Sequence, residues 1–346
     1  MNSNYIDFAK TLEQVINNNS LSFEHATDVM TQVMQGNLNN EALAALLIAL
    51  RMKGETTIEL TAFAKVMQKF SNKVELKDRN NLVDIVGTGG DGLHTFNIST
   101  TSAFVAAGAG VVIAKHGNRS SSGLLGSADL LEAAGINLML SAEQVKTCIE
   151  MIGIGFMFAP NHHVAMKHVR SVRKQLGVRT VFNLLGPLTN PSNAKKQLIG
   201  VFSKEWLKPM AECFKELGSD HCLLVHSNDG LDELSIFDLN DVIEVKNNQL
   251  IESKIDPKQL KLSTGCIKDI TIKTTADGLK MFHEVLSGVK GAARNIVMLN
   301  AGATIYCAGI ADSIEDGVLK AQQSIDSNNA LQCFIKLKKI SQEMQD

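Results

Sequence analysis

Four polar loops hold the side chains of this sequence that could do chemistry. The first, Gly87-Thr88-Gly89-Gly90-Asp91-Gly92, follows a β-branched run and leads through Thr95-Phe96-Asn97-Ile98-Ser99-Thr100 into a helical pattern. Glycines let backbone approach an anion, and N–H groups at a helix start grip phosphate. It is neither a Gly-Lys-Ser/Thr phosphate loop nor a GxGxxG dinucleotide loop. The second, Lys115-His116-Gly117-Asn118-Arg119-Ser120-Ser121-Ser122, sets two fixed cations, an amide and three hydroxyls at the end of an apolar strand. That set suits a polyanion such as pyrophosphate. Beyond it Gly126-Ser127-Ala128-Asp129 opens a helix, with Ser127 free to cap it or to bind an anion. The third, Asp229-Gly230-Leu231-Asp232-Glu233-Leu234-Ser235, places carboxylates side by side, which a cation must offset. Mg²⁺ fits, because it takes one or two carboxylates together with substrate phosphates and water. The fourth runs from Pro160 to Lys174 and carries His162, His163, His168, Lys167, Arg170, Arg173 and Lys174 on a helical segment. Its spacing is not that of a HExxH zinc helix.

These loops need elements to position them. Residues 1 to about 72 read as helices: one capped by Ser22 and ended by Gly36, one over Glu41–Lys53 with Gly54 beyond it, and one from Thr57 to about Phe70. Ser71 to Asn81 is polar and reads as a linker. Strand patterns then alternate with helical ones: Leu82–Val86, helix Ile98–Gly108, Val111–Ala114, Phe156–Ala159, Leu198–Phe202 and Cys222–His226. Such alternation implies an α/β fold with a mostly parallel central sheet, where ligands sit beyond the C-terminal strand ends. The Gly- and Ser-rich loops fall there.

Composition narrows the classes. Of 346 residues, 45% are apolar and 20% charged, which excludes a disordered or fibrous chain. A net charge of −2, with only 14 Phe, 2 Tyr and 1 Trp, argues against a nucleic-acid binder. The six cysteines stand far apart, as buried thiols of a reduced compartment do. No segment reaches the ~20 apolar residues a bilayer span needs, and the first residues carry no signal peptide, so a cytoplasmic protein is expected. The residues alone reach an Mg²⁺-dependent α/β enzyme for a phosphorylated, pyrophosphate-bearing small molecule.

On Gly87–Asp91, Thr95–Thr100, Lys115–Arg119, Gly126–Asp129, Asp229–Ser235 and Arg173–Pro191, in that motif set and over nearly the whole chain, the sequence resembles the anthranilate phosphoribosyltransferase family. The resemblance implies a helical domain over residues 1–72, joined by helices from about 161–190, and an α/β domain over 73–346. It also implies a cleft between them, a homodimer, and a place in tryptophan biosynthesis. The implied reaction moves the phosphoribosyl group of 5-phosphoribosyl 1-pyrophosphate to the amine of anthranilate. Carried over residue by residue, the donor would meet Gly87, Gly90, Asp91, Thr95, Asn97, Ile98, Ser99, Thr100, Lys115, His116, Gly117, Asn118, Arg119, Ser120, Ser121, Ser122, Gly123 and Ser127. Anthranilate would meet Gly87, Asn118 and Arg173, with Arg173 on its carboxylate. Mg²⁺, as two ions, would sit on Ser99, Asp232 and Glu233. An aromatic amine is already a nucleophile, so no strong base is required; His116 or the His162/His163 pair are candidates for the later proton. The chain departs from the family pattern at Gly123, where a Ser is usual, at Val164 and Ser171, where prolines are usual, and at Ser227, where a Gly is usual. The related pyrimidine nucleoside phosphorylases use a Lys-x-Ser-x-Arg-Ser pattern that this chain lacks.

Overall fold

The computed structural model describes residues 6–78, 80–120 and 123–344. Ser121 and Ser122 of the second loop lie outside the described residues.

Helices α1 (Phe8–Ile16), α2 (Phe23–Gln35), α3 (Asn40–Lys53) and α4 (Thr57–Lys69) open the chain. Each begins at a side chain that accepts a backbone N–H of the first turn: Asp7, Ser22, Asn39 and Thr56. The linker that follows contains no helix or strand among its described residues, yet it buries Val74 and Leu76. Its backbone runs beside two later crossings: Asn72 N donates to His162 O at 2.7 Å and Val74 N to Pro191 O at 3.2 Å.

Alternation of strands and helices then builds β1 (Leu82–Gly87), α5 (Ile98–Gly108), β2 (Val112–Gly117), α6 (Ser127–Ala133), α7 (Ala142–Ile152) and β3 (Ile154–Phe158). Next come α8 (Ala159–His162), a 3-10 turn over Val164–Met166, α9 (Lys167–Leu176), α10 (Val181–Leu185), β4 (Lys196–Gly200), α11 (Leu207–Glu216) and β5 (His221–Ser227). The expected helix through Pro160–Lys174 is therefore broken, because His163 adopts φ −109° and ψ 61°. After β5 the chain forms a hairpin that the sequence pattern did not predict, β6 (Asn240–Lys246) and β7 (Gln249–Ile255), turned by Asn247 and Asn248 with φ of 51° and 60°. Four helices close the fold: α12 (Thr275–Leu286), α13 (Ala292–Ala308), α14 (Ile314–Asp326) and α15 (Asn329–Glu343).

The seven strands form one sheet in the order β3-β2-β1-β4-β5-β6-β7. β3 to β5 are parallel, and β6 and β7 add antiparallel at one edge. Strand side chains alternate between two cores. Leu198, Leu223 and Val225 join α5, α13 and α15, whereas Ile199, Cys222 and Leu224 join α11 and the N-terminal helices. Strand order reverses between β1 and β4, which puts the ligand crevice of such a sheet beyond their C-terminal ends.

Candidate active site

At that reversal point Gly87 of β1 pairs with Gly200 of β4, and the acidic loop after β5 crosses directly over them. A Cβ on Gly87 would stand 2.9 Å from Asp232 Oδ2, and one on Gly200 would fall inside the Asp232 carbonyl oxygen. Only glycine leaves room for this crossing. Gly89 N donates to Asp232 Oδ2 at 2.7 Å, so the first loop is tied to the third. Leu231 and Leu234 anchor the acidic loop in the core, and Asn300 of α13 exchanges two hydrogen bonds with the Leu234 backbone. Asp229 turns inward on its own loop, accepting from Ser235 Oγ and Leu231 N. The third loop thus presents Asp232 and Glu233 alone.

Facing them is Lys115, buried at the end of β2. Its Nζ donates to Ile85 O at 2.5 Å and Ser99 Oγ at 3.4 Å, and Ser99 N at the start of α5 donates to Glu233 Oε1 at 3.2 Å. Withdrawal from water, then the neighbouring charge of Asp91, pushes Asp232 up to about 7; withdrawal from water and Asp232 push Glu233 up to about 8. Desolvation pulls Lys115 down, opposed by Asp84 and Glu233. Two crowded carboxylates sharing one desolvated cation call for more positive charge, and a divalent cation supplies it. Among the described residues no group of three or more His, Cys, Asp or Glu side chains could hold a metal. Two adjacent carboxylates beside the Ser99 hydroxyl fit Mg²⁺, which takes one or two carboxylates and fills the rest of its shell from phosphates and water.

The other expected residues divide. Asp91 caps its own turn at Leu93 N and stands beside Asp232. Thr95 bridges to Thr271, and Asn97 donates to Leu125 O; among the described residues its buried Oδ1 has no partner, nor has Thr100 Oγ1. The Ile98 side chain belongs to the core. Gly117 lies at the tip of β2, where a Cβ would run into Ser127 Oγ and the Phe156 ring. Asn118 Oδ1 accepts from Arg119 N, and Ser120 Oγ accepts from Gly123 N. Arg119 turns away from the acidic pair, to Asp129 at 2.9 Å and to both Glu132 oxygens at 2.7 and 2.8 Å. Ser127 is not a cap: Gly126 holds that position, its N–H bound by Asp129, and Ser127 Oγ donates to Asn118 O.

Of the fourth stretch, His162 and His163 are buried and Arg173 is half-buried. The His163 ring lies 5.1 Å from that of His116, and both Nε2 atoms are buried without a hydrogen-bond partner among the described residues. Burial drives His163 down to about 4 and His116 well below its ordinary value, so both are neutral bases at pH 7. Arg173 lies over the Phe182 ring at 5.6 Å and is desolvated, with no hydrogen bond or ion pair from its side chain among the described residues. A desolvated, unpaired guanidinium suits a carboxylate ligand. His162 instead bonds Asn72 O at 2.8 Å, and Lys167, Arg170 and Lys174 are exposed.

Residues 9–71 match the model "Glycosyl transferase family, helical bundle domain" and residues 79–331 match "Glycosyl transferase family, a/b domain". The chain is 49% identical over 323 residues to the anthranilate phosphoribosyltransferase of Hydrogenovibrio crunogenus, covering 93% of this chain and 95% of that protein. The chain belongs to the anthranilate phosphoribosyltransferase family. The crystal structure of the Thermus thermophilus family member superposes with a TM-score of 0.91 at 40% identity, covering 97% of this chain and all of that one. The Saccharomyces cerevisiae family member in complex with PRPP and Mg superposes at 0.89 with 26% identity, covering 97% of this chain and 98% of that one.

Three of the four departures from the family pattern, Gly123, Val164 and Ser171, are exposed, and Ser171 keeps α9 unbroken where a proline would remove a backbone N–H. Three residues were missed by sequence reasoning. Asp84 of β1 is fully buried, accepts from Asn190 Nδ2 at 2.7 Å and His116 N at 3.1 Å, and is raised to about 6 by that burial. A lone carboxylate inside an apolar strand was the available signal for it. Asn190 and Asn300 gave none.

Proposed function

We propose that the chain transfers the phosphoribosyl group of 5-phosphoribosyl 1-pyrophosphate to the amine of anthranilate, giving N-(5-phosphoribosyl)anthranilate and pyrophosphate in tryptophan biosynthesis. The observation that carries this reading is the meeting of the glycine loop, Lys115 and the Asp232–Glu233 pair at the reversal point of the sheet. Membership of the family supports it.

In this reading the first loop and the α5 N-terminus bind the donor, through Gly87, Gly90, Asp91, Thr95, Asn97, Ser99 and Thr100. The second loop completes the site through Lys115, Asn118, Ser120 and Ser127, with Arg119 released from Asp129 and Glu132 when a phosphate arrives. Ser99, Asp232 and Glu233 hold Mg²⁺, as two ions. When bound, Mg²⁺ neutralises the charge that gathers on the departing pyrophosphate. Lys115 adds a fixed positive charge, held off bulk water, as the C1–O bond breaks with oxocarbenium character at the ribose. Arg173 pairs with the anthranilate carboxylate and, with Gly87 and Asn118, aligns its amine with C1. The neutral His116–His163 pair stands ready to take the proton that the amine sheds after attack.

Residues 1–72 with 161–190 form the helical domain and 73–346 the α/β domain, hinged at the three adjacent crossings near Asn72, His162 and Pro191. The protein works as a cytoplasmic homodimer; among the described residues no helix is long and apolar enough to cross a membrane. The test is the loss of anthranilate fluorescence with 5-phosphoribosyl 1-pyrophosphate, with and without Mg²⁺, in the wild type and in Asp232→Ala/Glu233→Ala. Metal-dependent loss that the double variant abolishes supports the reading. Loss unchanged in the variant overturns the metal ligands, and no loss in the wild type overturns the reaction.

A further inference from the structure

Arg179 lies in the connection between α9 and α10, and the reaction above makes no use of it. Its Nη2 donates to the Gly90 carbonyl, in the middle of the first loop. Its guanidinium lies 3.9 Å from the centroid of the Phe202 ring, just beyond β4. Phe202 N in turn donates to Thr88 Oγ1 at 2.9 Å, so the segment that stacks on Arg179 also grips the loop. From the N-terminal helices, Arg51 at the end of α3 donates through Nη1 to the Arg179 carbonyl at 2.8 Å. Gly90 has φ +85°, and a Cβ there would meet Arg179 Nε at 3.2 Å, so the arginine occupies the flank of the loop that a side chain would fill. The loop needs such support: Gly89, Gly90 and Gly92 all adopt left-handed φ, and past Thr88, whose N–H donates to Gly200 O of β4, its residues belong to no helix or strand.

We propose that Arg179 is a positioning residue that clamps the Gly87–Gly92 loop at Gly90, next to the hold of Asp232 on Gly89 N. Through Arg51 the clamp ties the shape of the loop to the helical bundle. A planar guanidinium is suited to this work, because it stacks on an aromatic ring while its N–H groups stay in a fixed direction. In this role Arg179 acts through the loop and not on the substrate itself. It presets loop amides that would otherwise have to be ordered when the donor binds, which shows as affinity for the donor. The proposal rests on reading the first loop as the donor site.

The test measures KM for the donor, KM for anthranilate, kcat and the thermal midpoint of the free enzyme in Arg179→Ala, Arg51→Ala and, as a loop reference, Thr95→Val. Arg179→Ala is expected to raise donor KM about tenfold or more, as loss of a charge-assisted contact does. Anthranilate KM stays within twofold, and the midpoint within a few degrees. Millimolar guanidinium, but not methylammonium, restores part of the lost donor affinity. Arg51→Ala moves donor KM in the same direction by less. Donor KM unchanged in Arg179→Ala but raised in Thr95→Val overturns the clamp and leaves the loop reading standing. Donor KM unchanged in both overturns both. A parallel fall of every parameter with the midpoint, and no rescue by guanidinium, assigns Arg179 to the fold alone and overturns the proposal.

Discussion

Gly200→Ala is the smallest change that displaces the acidic pair without altering its charges. A methyl at position 200 would stand 1.5 Å from the Asp232 carbonyl oxygen, and ordinary contact at ~3.5 Å requires the two to part by about 2 Å. β4 is held on both sides, by β1 and β5, so the loop gives way rather than the strand. The loop carries Asp232 and Glu233 with it and breaks the Gly89–Asp232 hydrogen bond. Misplacement of about 1 Å in a reacting site costs ~100-fold in rate. Overpacking of a filled site costs about 1–3 kcal/mol of stability. The expected result is a fall in kcat/KM of ~100-fold or more by the anthranilate fluorescence assay, with a higher Mg²⁺ requirement and a thermal midpoint lower by a few degrees. Gly186→Ala is the control for stability, because Gly186 has φ −50° and open space around it. A Gly200→Ala enzyme within threefold of wild-type kcat/KM would refute the idea that this crossing places the acidic pair.

Lys53 and Glu59 form a 2.8 Å pair whose side chains are 4% and 0% exposed, and Glu59 also receives Leu21 N and Thr56 N. Lys53→Met strands that carboxylate and should lower stability to urea by about 3–5 kcal/mol; a loss below 1 kcal/mol would contradict it. His163, lowered from 6.5 to about 4 by burial, contributes stability above pH 6.5 that disappears as pH falls through 4, up to about 3 kcal/mol. His116 and His162 share that sign, so His163→Gln should shrink, not abolish, the decline measured by denaturant titration between pH 7 and 5. An unchanged pH slope in the variant would count against a buried neutral His163. Among the cysteines Cys266 is exposed and Cys333 intermediate, whereas Cys148, Cys213, Cys222 and Cys307 are buried. A thiol reagent should therefore label one site at once, a second slowly, and the remaining four after denaturation; rapid labelling of more than two would contradict the packing.

Much of this protein is local and was legible along the chain. Ser22, Gly36 and Gly54 mark helix ends because caps act within a few residues, and β1 to β5 announce themselves as apolar runs ended by glycine or polar loops. The β6–β7 hairpin was hidden, because an edge hairpin with Asp241, Glu244, Lys246, Glu252 and Lys254 lacks the apolar run of a buried strand. The site divides in the same way. Residue type and order announced the Gly87 loop, Lys115 and the Asp232–Glu233 pair, since phosphate and Mg²⁺ chemistry demands those groups. Tertiary structure alone decided that Asp229 turns away, that Arg119 is engaged by Glu132, and that Gly87 and Gly200 are paired so that the acidic loop can cross them. The roles of Asp84, Arg179 and Asn300 are likewise tertiary. Each acts on a partner at least 30 residues away in sequence, at His116, Gly90 and Leu234, and such contacts exist only once the sheet and its helices have closed.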